Sequence, residues 1–149
     1  MKTTRHFTVT IYIVYKNKVL LHLHKKMNCW LPIGGHIEEN ELPEVAALRE
    51  VKEEAGLPIN FYEPKKKVNM GKTVKELLYP MHIQLQDIKP GHKHIDFAFF
   101  ATTKVNKFKP EEGEATELRW FTLDEVKKLK NAPVNAIKLA QEALKLLAK

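Results

Sequence analysis

"GGHIEENELPEVAALREVKEEAGL", Gly34 to Leu57, is the stretch on which the reading of this chain turns. From Gly35 onward it holds seven acids (Glu38, Glu39, Glu41, Glu44, Glu50, Glu53, Glu54) against two bases, Arg49 and Lys52, a balance of −5. The whole chain carries +7, so the remainder carries +12. Charge segregated this sharply in a basic protein marks either a solvated helix face or a local task for carboxylates.

The spacing bears on that choice. Pro43 suits the first turn of a helix and Gly56 suits the position just past its end, which predicts a helix from Pro43 to about Ala55. At about 100° per residue, Glu50, Glu53 and Glu54 share an arc about 100° wide. Val45, Leu48, Val51 and Ala55 fall on the opposite side. The expectation is a helix that buries this apolar side against a sheet and points its carboxylates away. Ala46 and Ala47, flanking the acidic face, leave room for a ligand. Lys52 lies off the acidic face and Arg49 beside it. Like charges at helical spacing cost roughly 0.2–0.5 kcal/mol per pair, so repulsion alone does not exclude a solvated face. Hard divalent cations take oxygen ligands, and Mg²⁺ binds one or two carboxylates together with waters and substrate phosphates. Three carboxylates at the mouth of a Gly-Gly loop fit Mg²⁺ or Mn²⁺.

The flanking sequence predicts the frame. "FTVTIYIVY", residues 7–15, alternates Phe7, Val9, Ile11, Ile13 and Tyr15 onto one face of a strand. A tight turn, with Asn17 suited to positive φ, returns the chain as the strand "VLLHLH". "CWLPIGGHIEEN" reads as a Pro- and Gly-rich loop. The runs "KKVNM", "MHIQLQDI", "HIDFAFFATT" and "ELRWFT" are strand-like, and "FAFF", apolar on both faces, suits a central strand. "TLDE", 122–125, is a capping box. After Pro133 a last helix carries Ile137, Ala140, Leu144 and Leu147 on one side. Strands with a few flanking helices predict an α/β (α+β) fold with helices on both faces of a mixed sheet.

Bulk properties set the outer bounds. With 149 residues, 44% apolar and 29% charged, the chain reads as one soluble domain, 1–149. No run is apolar enough to span a membrane, and the alternating N-terminus is not a signal-peptide core. A single cysteine, Cys29, forms no internal disulfide, which fits a reducing cytoplasm; it reads as a small buried residue. The basic exterior attracts phosphate-rich ligands, but Lys65-Lys66-Lys67 is the one tight run, and arginine and aromatics do not interleave as on an RNA platform.

The pattern Gly35, five residues, Glu41, seven residues, Arg49-Glu50-Val51, one residue, Glu53-Glu54, one residue, Gly56-Leu57 resembles the complete Nudix box of the MutT-like hydrolases, with no departure at its defining positions. The preceding hairpin, "WLPIGGHIE", "HIDFAFFA" and "ELRWFTLDE" also fall where Nudix domains carry similar segments. Ile33 departs from the Gly often found there. The resemblance implies the Nudix fold, an α/β/α sandwich around a mixed sheet. It implies hydrolysis of a nucleoside diphosphate linked to another moiety, with Mg²⁺ or Mn²⁺. Carried over by position, it implies Glu50, Glu53 and Glu54 as metal ligands, with the Gly34 carbonyl as a further one. Glu41 supports the site, Arg49 orients the carboxylates, and Gly35 and Gly56 complete the motif.

The box leaves the general base open, since the family places it variously. "KPEEGEATELRW" offers Glu111, Glu112, Glu114 and Glu117. Glu114, six residues before Trp120, stands where related domains often have a metal-binding or catalytic glutamate; it ranks first, Glu53 second, Glu112 third. A solvated acidic loop is the plain alternative. His24 and Lys25, ending the second strand, are candidates for a substrate phosphate, and Trp30 for stacking on a base, against ordinary strand-end and packing roles. His22 with His24, and His92 with His94, share strand faces, but zinc needs further convergent ligands and the reading is against it. The Pro that marks a Nudix subgroup for ADP-ribose and the Tyr that marks one for dinucleoside polyphosphates are missing near Thr73–Lys75, which counts against those two substrates. The small size and single-domain reading favour a compact enzyme acting on nucleoside triphosphates, oxidised nucleotides or nucleotide sugars. The alternatives are a 5′-end RNA pyrophosphohydrolase and a non-catalytic nucleotide-binding module. An isopentenyl diphosphate isomerase would need a catalytic cysteine in a context that Cys29 lacks. A homodimer is compatible with the resemblance.

Overall fold

Strict alternation makes β1 (Thr4–Tyr15) the axis of the molecule: Val9, Ile11 and Ile13 face one side, Tyr12 and Val14 the other, all nearly inaccessible to solvent. The computed structural model describes residues 2–114 and 117–149. In chain order β1 is followed by β2 (Lys18–His24), β3 (Cys29–Leu31), β4 (Ile33–His36), α1 (Pro43–Glu54), β5 (Asn60–Phe61), β6 (His82–Lys89), β7 (His92–Thr102), β8 (Glu117–Thr122), α2 (Leu123–Lys127) and α3 (Val134–Leu147).

The sheet is mixed. β1 runs parallel to β7 from Thr4↔His92 to Val14↔Thr102, and the other pairings are antiparallel. The other edge of β1 is shared. Its C-terminal end pairs with β2 at Val14↔Val19, and its middle pairs with β4 from Thr8↔His36 to Ile11↔Ile33. β2 is thereby free to turn away and pair with β3 and β8. β7 carries β5 and β6 on its far side. Its Ala98-Phe99-Phe100-Ala101 run is buried on both faces, as its continuous apolar character requires.

Two cores result. One lies under α1 and joins Val9, Ile11, Ile13, Leu20, Ile33 and Phe99 to Ala46, Ala47 and Val51. The other lies under α2 and α3 and joins Tyr12, Val14, Leu21, Trp30, Phe100 and Phe121 to Leu139, Ala140, Ala143 and Leu144. The architecture is the expected sandwich with helices on both faces. The capping box also forms: Thr122 accepts from the Glu125 amide while the Glu125 carboxylate accepts from the Thr122 amide.

Four local expectations are corrected. "CWLPIGGHIEEN" is not all loop: it supplies β3 and β4, because pairing with β2 and β1 overrides the turn character of its glycines and proline. "KKVNM" forms no strand and makes one isolated bridge, Asn69↔Lys75. In the first hairpin the left-handed residue is Lys16, φ 53°, rather than Asn17. The largest correction concerns α1. Val45 and Leu48 are each 47% exposed, while Ala46, Ala47 and Val51 are fully buried. The helix is rotated so that its small residues, and with them part of its acidic arc, face the sheet.

Candidate active site

The rotation of α1 depends on a gap in the sheet surface. Side chains alternate along β4, and at Gly35, opposite Val9, there is none. The Glu50 carboxylate lies in that space; a Cβ on Gly35 would overlap it. One turn on, Glu54 accepts from the Gly34 amide at 3.1 Å. The two glycines form a seat for two carboxylates.

Arg49 ties the box together. Its guanidinium donates twice to Glu41, Nε to Oε2 at 2.8 Å and Nη2 to Oε1 at 2.9 Å, a forked pair of the strongest kind. Nη1 donates to Glu50 Oε1 at 2.9 Å and to Glu53 Oε2 at 3.4 Å. Nη2 also reaches the His36 carbonyl at 2.9 Å, anchoring the helix to the end of β4. Glu41 in turn accepts from the Glu38 amide at 3.0 Å, which closes the loop between β4 and α1. One guanidinium therefore spans the strand, the loop and two of the helix carboxylates.

The helix end is held from outside as well. Gly56 adopts φ +64°, and the Lys109 backbone packs where its side chain would be. The Lys109 amide donates to Ala55 O, and the Glu111 amide to Glu53 O, each at 2.8 Å. These bonds dock residues 109–114 on the last turn of α1, and the Glu114 amide donates to Glu111 O at 3.2 Å. The exposed Glu114 carboxylate thus enters the field of Glu50 and Glu54.

The electrostatics are uneven. The Arg49 hydrogen bonds hold the Glu41 carboxyl below the usual range. Burial pushes Glu54 up to about 8, with the charges of Glu50, Glu114 and Glu53 adding to the effect against the Gly34 hydrogen bond. Glu50 is raised in the same way, less strongly, because Arg49 opposes it. The negative end of the α1 dipole lies at this last turn and disfavours the same charges. Half-buried carboxylates on all-oxygen donors, short of positive charge and converging on a Cβ-free seat, fit a hard divalent cation.

Other expected site residues are placed elsewhere. Trp30 is 7% exposed and packs edge-on against Phe121 at 4.9 Å between ring centres. Its ring belongs to the α3-side core and offers a base little exposed surface to stack on, which corrects that expectation. His24 accepts from the Met27 amide and closes the β2–β3 hairpin, and Lys25 is exposed in the same turn. Neither bonds to the box carboxylates among the described residues. Cys29 is half-buried, and burial pushes its thiol up, away from nucleophilic use. His22 is buried, with burial depressing it to about 4 and, among the described residues, no partner for its Nδ1.

Two features had no sequence signal. The docking of residues 109–114 uses backbone groups, which every residue possesses. Glu44 accepts from the Leu78 amide at 3.3 Å and ties down the long β5–β6 connection, yet its identity and spacing resemble those of any first-turn glutamate.

The arrangement has counterparts. The model of the NUDIX domain matches residues 4–142. The chain belongs to the Nudix family. A NUDIX-family hydrolase from Clostridium perfringens is 48% identical, with a TM-score of 0.86 over 96% of this chain and 98% of that one. A MutT NUDIX hydrolase from Burkholderia pseudomallei shares 21% identity and a TM-score of 0.67 over 94% and 98% of the two chains. An ADP-ribose pyrophosphatase from Streptococcus suis shares 17% identity and a TM-score of 0.60 over 96% and 92%. No curated protein matches. This Nudix chain is accordingly an enzyme, a hydrolase, from a family that acts on nucleotide-type substrates and generally uses divalent metal ions. Among the described residues, no helix is long and apolar enough to cross a membrane.

Proposed function

We propose that the chain hydrolyses the diphosphate of a nucleoside diphosphate linked to another moiety, a nucleoside triphosphate, oxidised nucleotide or nucleotide sugar, at a Mg²⁺ or Mn²⁺ centre held by Glu50, Glu53 and Glu54. The observation that carries this reading is the seat on Gly34 and Gly35, which draws the Glu50 and Glu54 carboxylates inward, where burial, with the neighbouring charges adding to it, raises Glu54 to about 8. A bound divalent cation would supply charge neutralisation at the diphosphate and a more acidic coordinated water. The Gly34 carbonyl is assigned as a further oxygen ligand.

The remaining work falls to the chain itself. Arg49 holds Glu50 and Glu53 in fixed orientation, and Glu41 holds Arg49. Glu114 is assigned as proton acceptor from the attacking water, with Glu53 next. Glu114 lies in the field of the box carboxylates, on a loop anchored to the Glu53 backbone, and its exposure leaves it open to water. Removing the proton as the new O–P bond forms lets the leaving phosphate depart without a positively charged intermediate.

The test is a panel of canonical and oxidised nucleoside triphosphates, nucleotide sugars, ADP-ribose, dinucleoside polyphosphates and triphosphorylated RNA, with Mg²⁺, Mn²⁺ or EDTA. Cleavage that needs metal and is lost in Glu54→Gln is the expected result and names the substrate. Cleavage that survives both EDTA and Glu54→Gln would overturn the assignment of the centre.

A further inference from the structure

The opposite face of the same three strands carries a second cluster. β1 and β7 run parallel with Thr4 opposite His92 and His6 opposite His94, and β4 places His36 opposite Thr8. Residues two apart share a face. Register therefore collects His6, His36, His92 and His94 on one side, while Gly35 and Val9 face α1 on the other. One ring nitrogen from each of the four lies within 4.8 Å of the others. The rings meet edge to face, with centres 4.7 Å apart for His6 and His92, 4.9 Å for His36 and His94, and 5.1 Å for His92 and His94.

We infer that His6, His36, His92 and His94 form a second metal site, built from imidazole nitrogens and fitted to a borderline transition-metal ion such as Zn²⁺.

Four nitrogens are the right number and kind of donor for a closed tetrahedral zinc site, in contrast to the oxygen set across the sheet. With Zn–N bonds of about 2.0–2.1 Å, tetrahedral geometry places ligand nitrogens about 3.3–3.4 Å apart. His92 Nε2 and His94 Nε2 stand at 3.3 Å. The wider pairs, up to 4.8 Å apart, need to close by up to about 1.5 Å, shared between two rings with the broad χ2 range of histidine. His6 and His36 are exposed and His92 and His94 half-buried, so the rings have that freedom. An ion has a way in, because His6 and His36 also line a groove of about 540 Å³ whose rim carries Glu38, Glu39 and Glu41. The backbone under His36 is fixed by the Arg49 hydrogen bond to its carbonyl, so this ligand starts from a held position. The site would staple together β4, β1 and β7 at one end of the sheet. It does not rest on the assignment of the carboxylate centre.

The test uses untagged protein in excess Mg²⁺, which occupies oxygen sites without competing for imidazole. Expected are one Zn²⁺ retained per chain after dialysis, a rise in melting temperature with Zn²⁺, and a Co²⁺ absorption spectrum of tetrahedral nitrogen character. His92→Ala/His94→Ala should lose all three, while Glu54→Gln keeps them. If the double variant does not fold, His6→Ala and His36→Ala, on other strands, should each weaken Zn²⁺ binding about tenfold or more. No stoichiometric Zn²⁺ in the wild type, or Zn²⁺ unaffected by these substitutions, would overturn the site and leave the rings as aromatic packing.

Discussion

α1 and α3 lie on opposite faces of one sheet and obey different rules. α3 buries Ala136, Leu139, Ala140, Ala143 and Leu144, and its polar side chains face outward, as an amphipathic helix should. α1 leaves Val45 and Leu48 partly in solvent and turns Ala46, Ala47 and part of its acidic face inward. Its orientation is set by a salt-bridged arginine and two glycines that make room for carboxylates, so the gain from burying Leu48 is forgone. A helix that holds a charged centre against a sheet gives up apolar burial to bring those charges together. The exchange is tolerable because α3 and the strands supply core elsewhere.

Substitutions can break this contrast directly. Leu144→Ala, on the conventional helix, should cost about 2–5 kcal/mol, since its side chain is 3% exposed and leaves a cavity; chemical denaturation measures it. Glu54→Gln, on the other helix, should lower turnover on the order of 100-fold, roughly 3 kcal/mol in the barrier, while the fold persists. The amide oxygen of Gln can still accept from Gly34. A variant with near-normal kcat would remove Glu54 from the centre.

pH sharpens the same point. Glu54 has its ordinary value near 4.5 when unfolded and about 8 when folded, so the folded state holds a proton that the unfolded state has released. Its contribution to the stability of metal-free protein is complete below about 4.5 and is lost as pH rises through about 8. Melting temperature in EDTA should fall across that window, and the fall should shrink in Glu54→Gln. Divalent cation should offset it by binding the ionised form, with proton release on binding visible by calorimetry in two buffers. Glu41, held low by Arg49, acts in the opposite sense only at acid pH.

The smallest effect is the most pointed. Leu48→Ala should change stability by no more than about 0.5 kcal/mol, because the side chain is 47% exposed. A loss matching that of Leu144→Ala would mean that α1 buries its apolar stripe after all.

Much of this organisation is legible one residue at a time. The alternation of β1, the two-sided apolar run of β7, the capping box at Thr122 and the stripe on α3 are local patterns with local causes. So is the chemistry of the box, since glutamates at that spacing on a helix stopped by Gly56 bring hard oxygen donors together wherever the helix lies. What local pattern leaves open is which way an element faces and which distant segment completes it. A helical wheel groups Glu50, Glu53 and Glu54, but only the strand opposite, with its missing Cβ at Gly35, decides that two of them turn inward. "PIGGH" reads as loop until β1 offers it hydrogen-bond partners. The segment that carries Glu114 docks on the end of α1 through backbone bonds that carry no sequence signature.

Histidine makes the division plain. His92 and His94 share a face by their spacing alone, which is too little for a metal. The parallel register of β1 with β7 and the antiparallel register of β4 with β1 add His6 and His36, 86 and 58 residues from His92 and His94 respectively. Sequence determined which donors exist and how neighbours share a face, because those follow from backbone periodicity. Tertiary structure decided which donors meet, because strand register is set by the burial of an entire face and not by the residues that come to lie at its end.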